Sequence, residues 1–193
     1  MFTGIIEGQA QIESIQMEGT NLVFELTVPF GNELKVDQSL AHNGVCLTVI
    51  AQVGNRYQVV AIAETIKRTS ISTWKKGDMI NVERCMAADG RFDGHIVQGH
   101  VDTTATCTSV ENKEGSWLLH FIYNDKEHIT VEKGSVCIDG ISLTVVESIE
   151  GAFSVAIISY TYDHTNLKNI QPGDSVNLEF DIIGKYLAKF MKR

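Results

Sequence analysis

The sequence predicts a mainly β protein: two small closed barrels in tandem, followed by a short C-terminal helix. Three observations lead there. The chain repeats itself at about half its length, its apolar residues alternate with period two through most of both halves, and helical spacing is confined to the C-terminal end.

The repeat comes first because it sets the domain count. His42–Val49 reads HNGVCLTV and Ile138–Val145 reads IDGISLTV, an offset of 96 residues. At the same offset Glu64–Ile71 (ETIKRTSI) meets Tyr160–Leu167 (YTYDHTNL), and Lys76–Glu83 (KGDMINVE) meets Pro172–Glu179 (PGDSVNLE). Over the ungapped block 42–83 against 138–179 there are 12 identities in 42 positions. Ordinary composition gives roughly two or three by chance, so this is a duplication. The openings agree as well, Gly4–Ala10 with Gly99–Ala105, at an offset of 95. Each copy is long enough to hold its own core. The seam falls at Ala87–His95 (AADGRFDGH), rich in Gly and Asp and suited to a turn. The reading is therefore a first barrel over 1–90, a second over 91–181, and an extra segment over 182–193.

Strand patterns follow in order. Asn21–Pro29 places Leu22, Phe24, Leu26 and Val28 on one face. Tyr57–Ala63, Asp78–Arg84, Trp117–Tyr123, Ser142–Ser148, Phe153–Ser159 and Ser175–Asp181 are rich in β-branched and aromatic residues, with Gly, Asn and Asp between them. Closure into a barrel removes the edges that so many short strands would otherwise expose. The last segment differs: Ile182, Ile183, Tyr186, Leu187, Phe190 and Met191 recur at helical spacing. A helix this short needs a surface to pack on, either a neighbouring subunit or its own barrel.

Composition removes several function classes. With 16 basic against 24 acidic residues the net charge is −8, which disfavours a phosphate-backbone partner. The N-terminus lacks a basic segment followed by an apolar run, and no stretch approaches the ~20 apolar residues of a membrane span. A cytoplasmic protein without a membrane partner is expected. Cys46, Cys85, Cys107 and Cys137 stand alone, with no C-x-x-C pair. His95 and His100 lie five apart, on opposite faces of any strand, so no metal site is expected.

Two similar barrels imply two similar pockets, able to hold two copies of one compound in unlike surroundings. The differences between equivalent positions are where distinct chemistry belongs: Cys46 against Ser142, Ile5 against His100, Glu64 against Tyr160. On pattern alone Cys46 reads as a contact or as a buried small hydrophobe, and Ser142 as a pocket residue or a turn residue after Gly140. Asp181 ends a strand before the helix, where a capping role is the plain alternative. The Gly77-Asp78 and Gly173-Asp174 pairs read as turns without chemistry, and His95 as structural.

The opening MFTGIIEG, HNGVCLTV, the run GHIVQGHVDTTA at Gly94–Ala105, IDGISLTV, the paired GD-x-x-N-x-E motifs and the terminal LAKF resemble the riboflavin synthase α-chain family over nearly the whole chain. That resemblance implies six-stranded antiparallel Greek-key barrels and a homotrimer held by C-terminal helices. It implies sites between the first barrel of one subunit and the second barrel of its neighbour. It further implies dismutation of 6,7-dimethyl-8-ribityllumazine by transfer of a four-carbon unit, with no cofactor. By position it carries over substrate contacts at Gly4, Ile5, Ile6, Cys46, Leu47, Thr48, Val60, Ala61, Ile62, Ala63, Glu64 and Thr65 in the first half. In the second half it carries over Gly99, His100, Val101, Lys133, Ser142, Leu143, Thr144, Ile157, Ile158, Ser159, Tyr160, Thr161 and Tyr162. Catalytic roles are implied for Ser142, His100, Cys46, Asp181 and Ser39. Ile6, Ile62 and Ile158 suit the walls of a flat ring, and His100 suits proton movement near neutral pH. Two rival classes remain: a non-catalytic antenna-type lumazine or flavin carrier, and a flavin reductase barrel. The second would need a dinucleotide fingerprint that is missing from the sequence.

Overall fold

The computed structural model describes residues 1–125 and 127–191. Lys192 and Arg193, the end of the expected terminal helix, lie outside the described residues.

The first barrel is built from β1 (Gly8–Glu18), β2 (Asn21–Thr27), β3 (Ser39–His42), β4 (Val45–Val53), β5 (Arg56–Ala61) and β6 (Met79–Arg84), closed in the order β1-β2-β5-β4-β3-β6. The second uses β7 (Thr103–Asn112), β8 (Ser116–Tyr123), β9 (Ser135–Ile138), β10 (Ile141–Ile149), β11 (Ala152–Ile158) and β12 (Ser175–Phe180) with the matching antiparallel Greek-key order. Even the irregularities repeat. A bulge at Ile12/Ser14 in β1 recurs at Cys107/Ser109 in β7, and one at Val49/Ala51 in β4 recurs at Val145/Glu147 in β10. Each bends its strand and tightens the twist, which a six-stranded closure requires.

Alternation fills the interiors. Phe24, Leu26, Leu40, Val49, Tyr57, Ile71 and Ile80 face into the first barrel; Leu119, Phe121, Ile138, Val145, Phe153, Leu167 and Leu178 face into the second. The strands expected from the sequence are present with shifted ends. Tyr57–Ala63 and Phe153–Ser159 run too far, because the chain leaves the barrel into α1 (Ala63–Arg68) and α2 (Ser159–His164). These helices are a turn and a half long, too short for a periodic signal. Each is followed by a 3-10 turn whose entry is capped by an equivalent threonine, Thr69 Oγ1 accepting from Ile71 N at 3.3 Å and Thr165 Oγ1 from Leu167 N at 3.4 Å. The Gly-Asp pairs are turns as expected: Asp78 and Asp174 accept from the backbone N of Lys75 and Gln171.

The barrels meet across a pseudo-twofold seam. Gly44 and Gly140 stand back to back; a Cβ on Gly44 would lie 2.7 Å from Gly140 N, and one on Gly140 would lie 2.8 Å from Gly44 N. Around them Asn81 Nδ2 donates to Asp139 O at 3.1 Å and Asn177 Nδ2 to Asn43 O at 2.8 Å. Ser70 N donates to Asn177 Oδ1 and Asn166 N to Asn81 Oδ1, each across the seam. The asparagine of each GD-x-x-N-x-E motif is thus an inter-barrel clasp.

Helix α3 (Ile182–Met191) follows β12 directly and has no buried residue; Ile183, Tyr186, Leu187 and Phe190 are exposed. Among the described residues no helix is long and apolar enough to cross a membrane.

Candidate functional site

Each barrel carries an outward-facing strip beside the seam. On the first barrel the strip begins with Ser39 in β3, paired with Thr48 of β4, and continues to Cys46. On the second the equivalents are Ser135, Thr144 and Ser142. Thr48 and Thr144 are exposed, Cys46 and Ser142 half-buried. Leu47, Ala61, Leu143 and Ile157 from the expected contact segments instead face the barrel cores, as strand alternation demands. They can offer only backbone to a ligand. Ile62 and Ile158, the last extended residues before α1 and α2, are 55% and 63% exposed and stand as open apolar walls.

The segments that lead into β1 and β7 complete the strips, and they do so crosswise. Glu83 gathers the first lead-in, accepting from Thr3 N at 2.7 Å, Thr3 Oγ1 at 2.9 Å and Gly4 N at 3.0 Å. Glu179 gathers the second, accepting from Gln98 N at 2.7 Å, Gly99 N at 3.0 Å and His100 N at 2.9 Å. From there Gly4 O accepts from Ser142 N of the second barrel at 2.8 Å, while Gly99 O accepts from Cys46 N of the first at 2.9 Å. Ile6 packs against the second core and Val101 against the first. Gly4 and Gly99 have φ of +80° and +78°, and a Cβ on either would fall 2.6 Å from the Cβ of Ser142 or Cys46. The two lead-ins are thus exchanged: Gly4 and Ile6 join Ser142, and Gly99 and Val101 join Cys46. Ile5 lies between, lining a cleft of about 480 Å³ with Gln38, Glu83 and Cys85. The exchange arises because Phe2 and Val97 pair along the seam, Phe2 N donating to Val97 O at 2.7 Å.

The electrostatics separate the two strips. Burial pushes the Cys46 thiol up, opposed by its hydrogen bond with Ser39, so the group stays a thiol at neutral pH and suits contact rather than attack. At the equivalent place Ser142 Oγ is 2.7 Å from His95 Nδ1. Burial lowers the His95 pKa and the charge of Asp181 opposes it; neutral His95 can exchange a hydrogen bond with the serine. Asp181 meanwhile caps α3, accepting from Ile183 N at 2.9 Å, so the plain capping role is real and Asp181 also acts on His95. Desolvation raises the Glu83 pKa, and raises Glu179 to about 7 against its backbone donors.

The remaining expected residues sort by surroundings. Val60 is half-buried in β5; Ala63, Ser159, Glu64 and Tyr160 are exposed at the starts of α1 and α2. Glu64 pairs with Arg68, and Tyr160 stacks on His164 at 4.1 Å. Thr65 and Thr161 lend their carbonyls to Thr69 and Thr165. Tyr162 stacks on Trp117 at 3.9 Å and donates to Lys168 O, which gives it a packing role. Lys133 is exposed at φ +64°, its N–H on Val145 O at 2.9 Å. The sequence reading missed Glu83, Glu179 and the seam asparagines. The signal is in the sequence, since N-x-E recurs in both copies, but spacing alone does not say which backbone amides across the fold these side chains meet.

The lumazine binding domain family matches residues 3–85 and again 98–181. Riboflavin synthase of Actinobacillus pleuropneumoniae is 40% identical, covering 99% of this chain and 90% of its own length. Riboflavin synthase of Bacillus subtilis is 38% identical over 100% and 91%, and that of Saccharomyces cerevisiae 37% over 98% and 85%. Among solved structures, LumP complexed with 6,7-dimethyl-8-(1'-D-ribityl)lumazine superposes with a TM-score of 0.85 at 20% identity, over 93% of this chain and 99% of that one, which shows a shared fold. With the family domain matched once per barrel and full-length relatives at such identity, the chain belongs to the riboflavin synthase family.

Proposed function

We propose that the protein is a transferase that dismutates two molecules of 6,7-dimethyl-8-ribityllumazine into riboflavin and 5-amino-6-(D-ribitylamino)uracil. A four-carbon unit leaves one molecule and joins the other, so no atom is gained or lost and no cofactor is needed. The observation that carries the reading is the 40% identity to a riboflavin synthase along 99% of the chain. The paired strips support it: two equivalent sites with Cys46 at one and Ser142 at the other suit one compound held in two environments. Ser39, Cys46, Thr48, Ser142, Thr144 and Lys133 supply hydroxyl, thiol and ammonium partners for the ribityl chains. The lead-in backbone meets the ring edges, and Ile62 and Ile158 cover ring faces. His100 moves a proton, for which its exposed imidazole is suited. Ser142, held by His95, presents a hydroxyl at the other site.

We further infer a homotrimer. The exposed apolar residues of α3 need cover, and both strips lie open in the single chain, so a neighbour's opposite strip closes each site. The four unpaired cysteines support a cytoplasmic setting.

The test is incubation of the protein with 6,7-dimethyl-8-ribityllumazine alone, followed by chromatography and fluorescence. Riboflavin is expected at half the rate of lumazine loss. Tight binding without product would instead make the protein an antenna-type carrier, and neither binding nor product would reject both readings.

A further inference from the structure

Glu7 and Asp102 are equivalent positions, three residues after Gly4 and Gly99. Each anchors the end of its lead-in in the same way. Glu7 N donates to Val82 O and Asp102 N to Leu178 O, both at 3.0 Å. Glu7 accepts from Arg84 N at 2.7 Å and Asp102 from Phe180 N at 2.9 Å, again equivalent residues. The cation that balances the carboxylate differs. In the first barrel it is the Arg84 side chain itself, whose Nε lies 2.8 Å from Glu7. In the second barrel that position is Phe180, which has no charge to give. The cation comes instead from α3, outside the repeat: Lys185 Nζ lies 2.6 Å from Asp102, with the two side chains only 15% and 17% exposed. The Arg84–Glu7 pair is about twice as exposed, at 33% and 30%. A pair this buried leaves an uncompensated charge when one partner is removed.

We propose that Lys185 is a positioning residue, which replaces from the terminal helix the cation that Arg84 supplies within the first repeat. Through Asp102 it fixes Gly99–Val101. Because that lead-in crosses to Cys46, the seating of α3 is transmitted to the first barrel's substrate strip, on the far side of the seam from the helix. The effect on turnover rests on the proposed function; the effect on the lead-in does not.

The experiment compares wild type with Lys185→Met, Lys185→Arg and Arg84→Met by amide hydrogen exchange and by kcat and KM with 6,7-dimethyl-8-ribityllumazine. In K185M the amides of 97–102 exchange about tenfold faster while 2–7 and the second barrel's core strands stay protected. R84M loosens 2–7 and leaves 97–102 alone. K185M lowers kcat about tenfold with a smaller change in KM, since sub-ångström shifts of a positioned group cost this much. K185R restores both protection and turnover. Unchanged exchange over 97–102 in K185M, or loosening spread through the whole second barrel, would overturn the proposal. Loosening of 97–102 in K185M together with a wild type that makes no riboflavin would overturn the proposed function and leave this inference standing.

Discussion

The two barrels share strand order, bulges, caps, seam and the buried glutamates Glu83 and Glu179, yet each also buries an ionisable group that the other lacks, and the two are opposite in kind. The first holds His42, fully buried, with Nδ1 3.0 Å from Leu40 O and Nε2 3.0 Å from Tyr57 OH. At the equivalent positions the second has Ile138 and Phe153, a plain apolar pair. The second barrel instead buries Asp139 where the first has Asn43. Asp139 accepts from Asn177 N at 2.7 Å and Asn166 Nδ2 at 2.6 Å, and position 166 is Ser70 in the first copy. Desolvation lowers His42 to about 4 and raises Asp139 to about 7. Duplication preserved the geometry that closes and joins the barrels, while one barrel interior, at His42, and one side of the seam, at Asp139, took up separate chemistry. The difference teaches that shape and charge are specified by different residues here, and each can be broken alone.

The shared geometry should break hardest. Gly44→Ala and Gly140→Ala each push a Cβ to within 2.7 or 2.8 Å of backbone across the seam, at φ of +77° and +83°. Each is expected to cost about 4 kcal/mol in urea unfolding, because backbone on both sides leaves nowhere to relax. Gly77→Ala and Gly173→Ala, with no atom within 4 Å of the added Cβ, should cost only about 1 kcal/mol. Equal losses at all four sites would mean that the seam is looser than its contacts indicate.

The charge difference predicts opposite pH responses. Unfolded Asp gives up its proton near the ordinary value of about 3.9, whereas folded Asp139 holds it to about 7. Its stabilising contribution is therefore complete below pH 4 and is lost as pH rises through 7. Glu179, also raised to about 7, acts in the same direction. Asp139→Asn combined with Asn166→Ser recreates the first barrel's pair and should shrink the fall in stability between pH 5 and 8 by about 3 kcal/mol. Urea midpoints at the two pH values measure it, and an undiminished fall in the double variant would assign the effect elsewhere.

His42 runs the other way. It is neutral when folded, and the unfolded chain takes up a proton near 6.5, so its contribution is present above 6.5 and is lost as pH falls toward 4. Tyr57→Phe leaves His42 Nε2 without its partner in a dry core and should cost about 2 kcal/mol at pH 7. Adding His42→Ile restores the second barrel's pair, and is expected to recover most of that loss and to flatten the acid limb of the thermal midpoint. A double variant as acid-sensitive as the parent would show that His42 is not the group responsible.

How far the sequence could be read follows from where the information sits. Alternation and duplication are local or long-range patterns in one dimension, so the two barrels and the terminal helix were legible. The lead-in exchange was not, because nothing in Gly4–Ile6 or Gly99–Val101 says which barrel they meet; only the pairing of Phe2 with Val97 along the seam decides it. Contact segments transferred as blocks also hid the alternation within them, by which Leu47 and Leu143 turn inward while Thr48 and Thr144 turn out. His95 read as structural because its partner Ser142 is 47 residues away.

The smallest expected effect is the most informative about the sites. His100 and Ile5 occupy equivalent places in the two lead-ins, and only one has an ionisable ring. His100→Ile makes the lead-ins alike and should lower kcat about tenfold, some 1.4 kcal/mol of barrier, with lumazine affinity changing less. Adding Ile5→His moves the imidazole to the other lead-in. Because Ile5 lines a cleft with Gln38 and Cys85, and its lead-in crosses to Ser142 whereas that of His100 crosses to Cys46, the double variant should stay as slow as the single one. Full recovery would mean that the two sites are interchangeable in the reaction, and that the divergence between barrels serves stability alone.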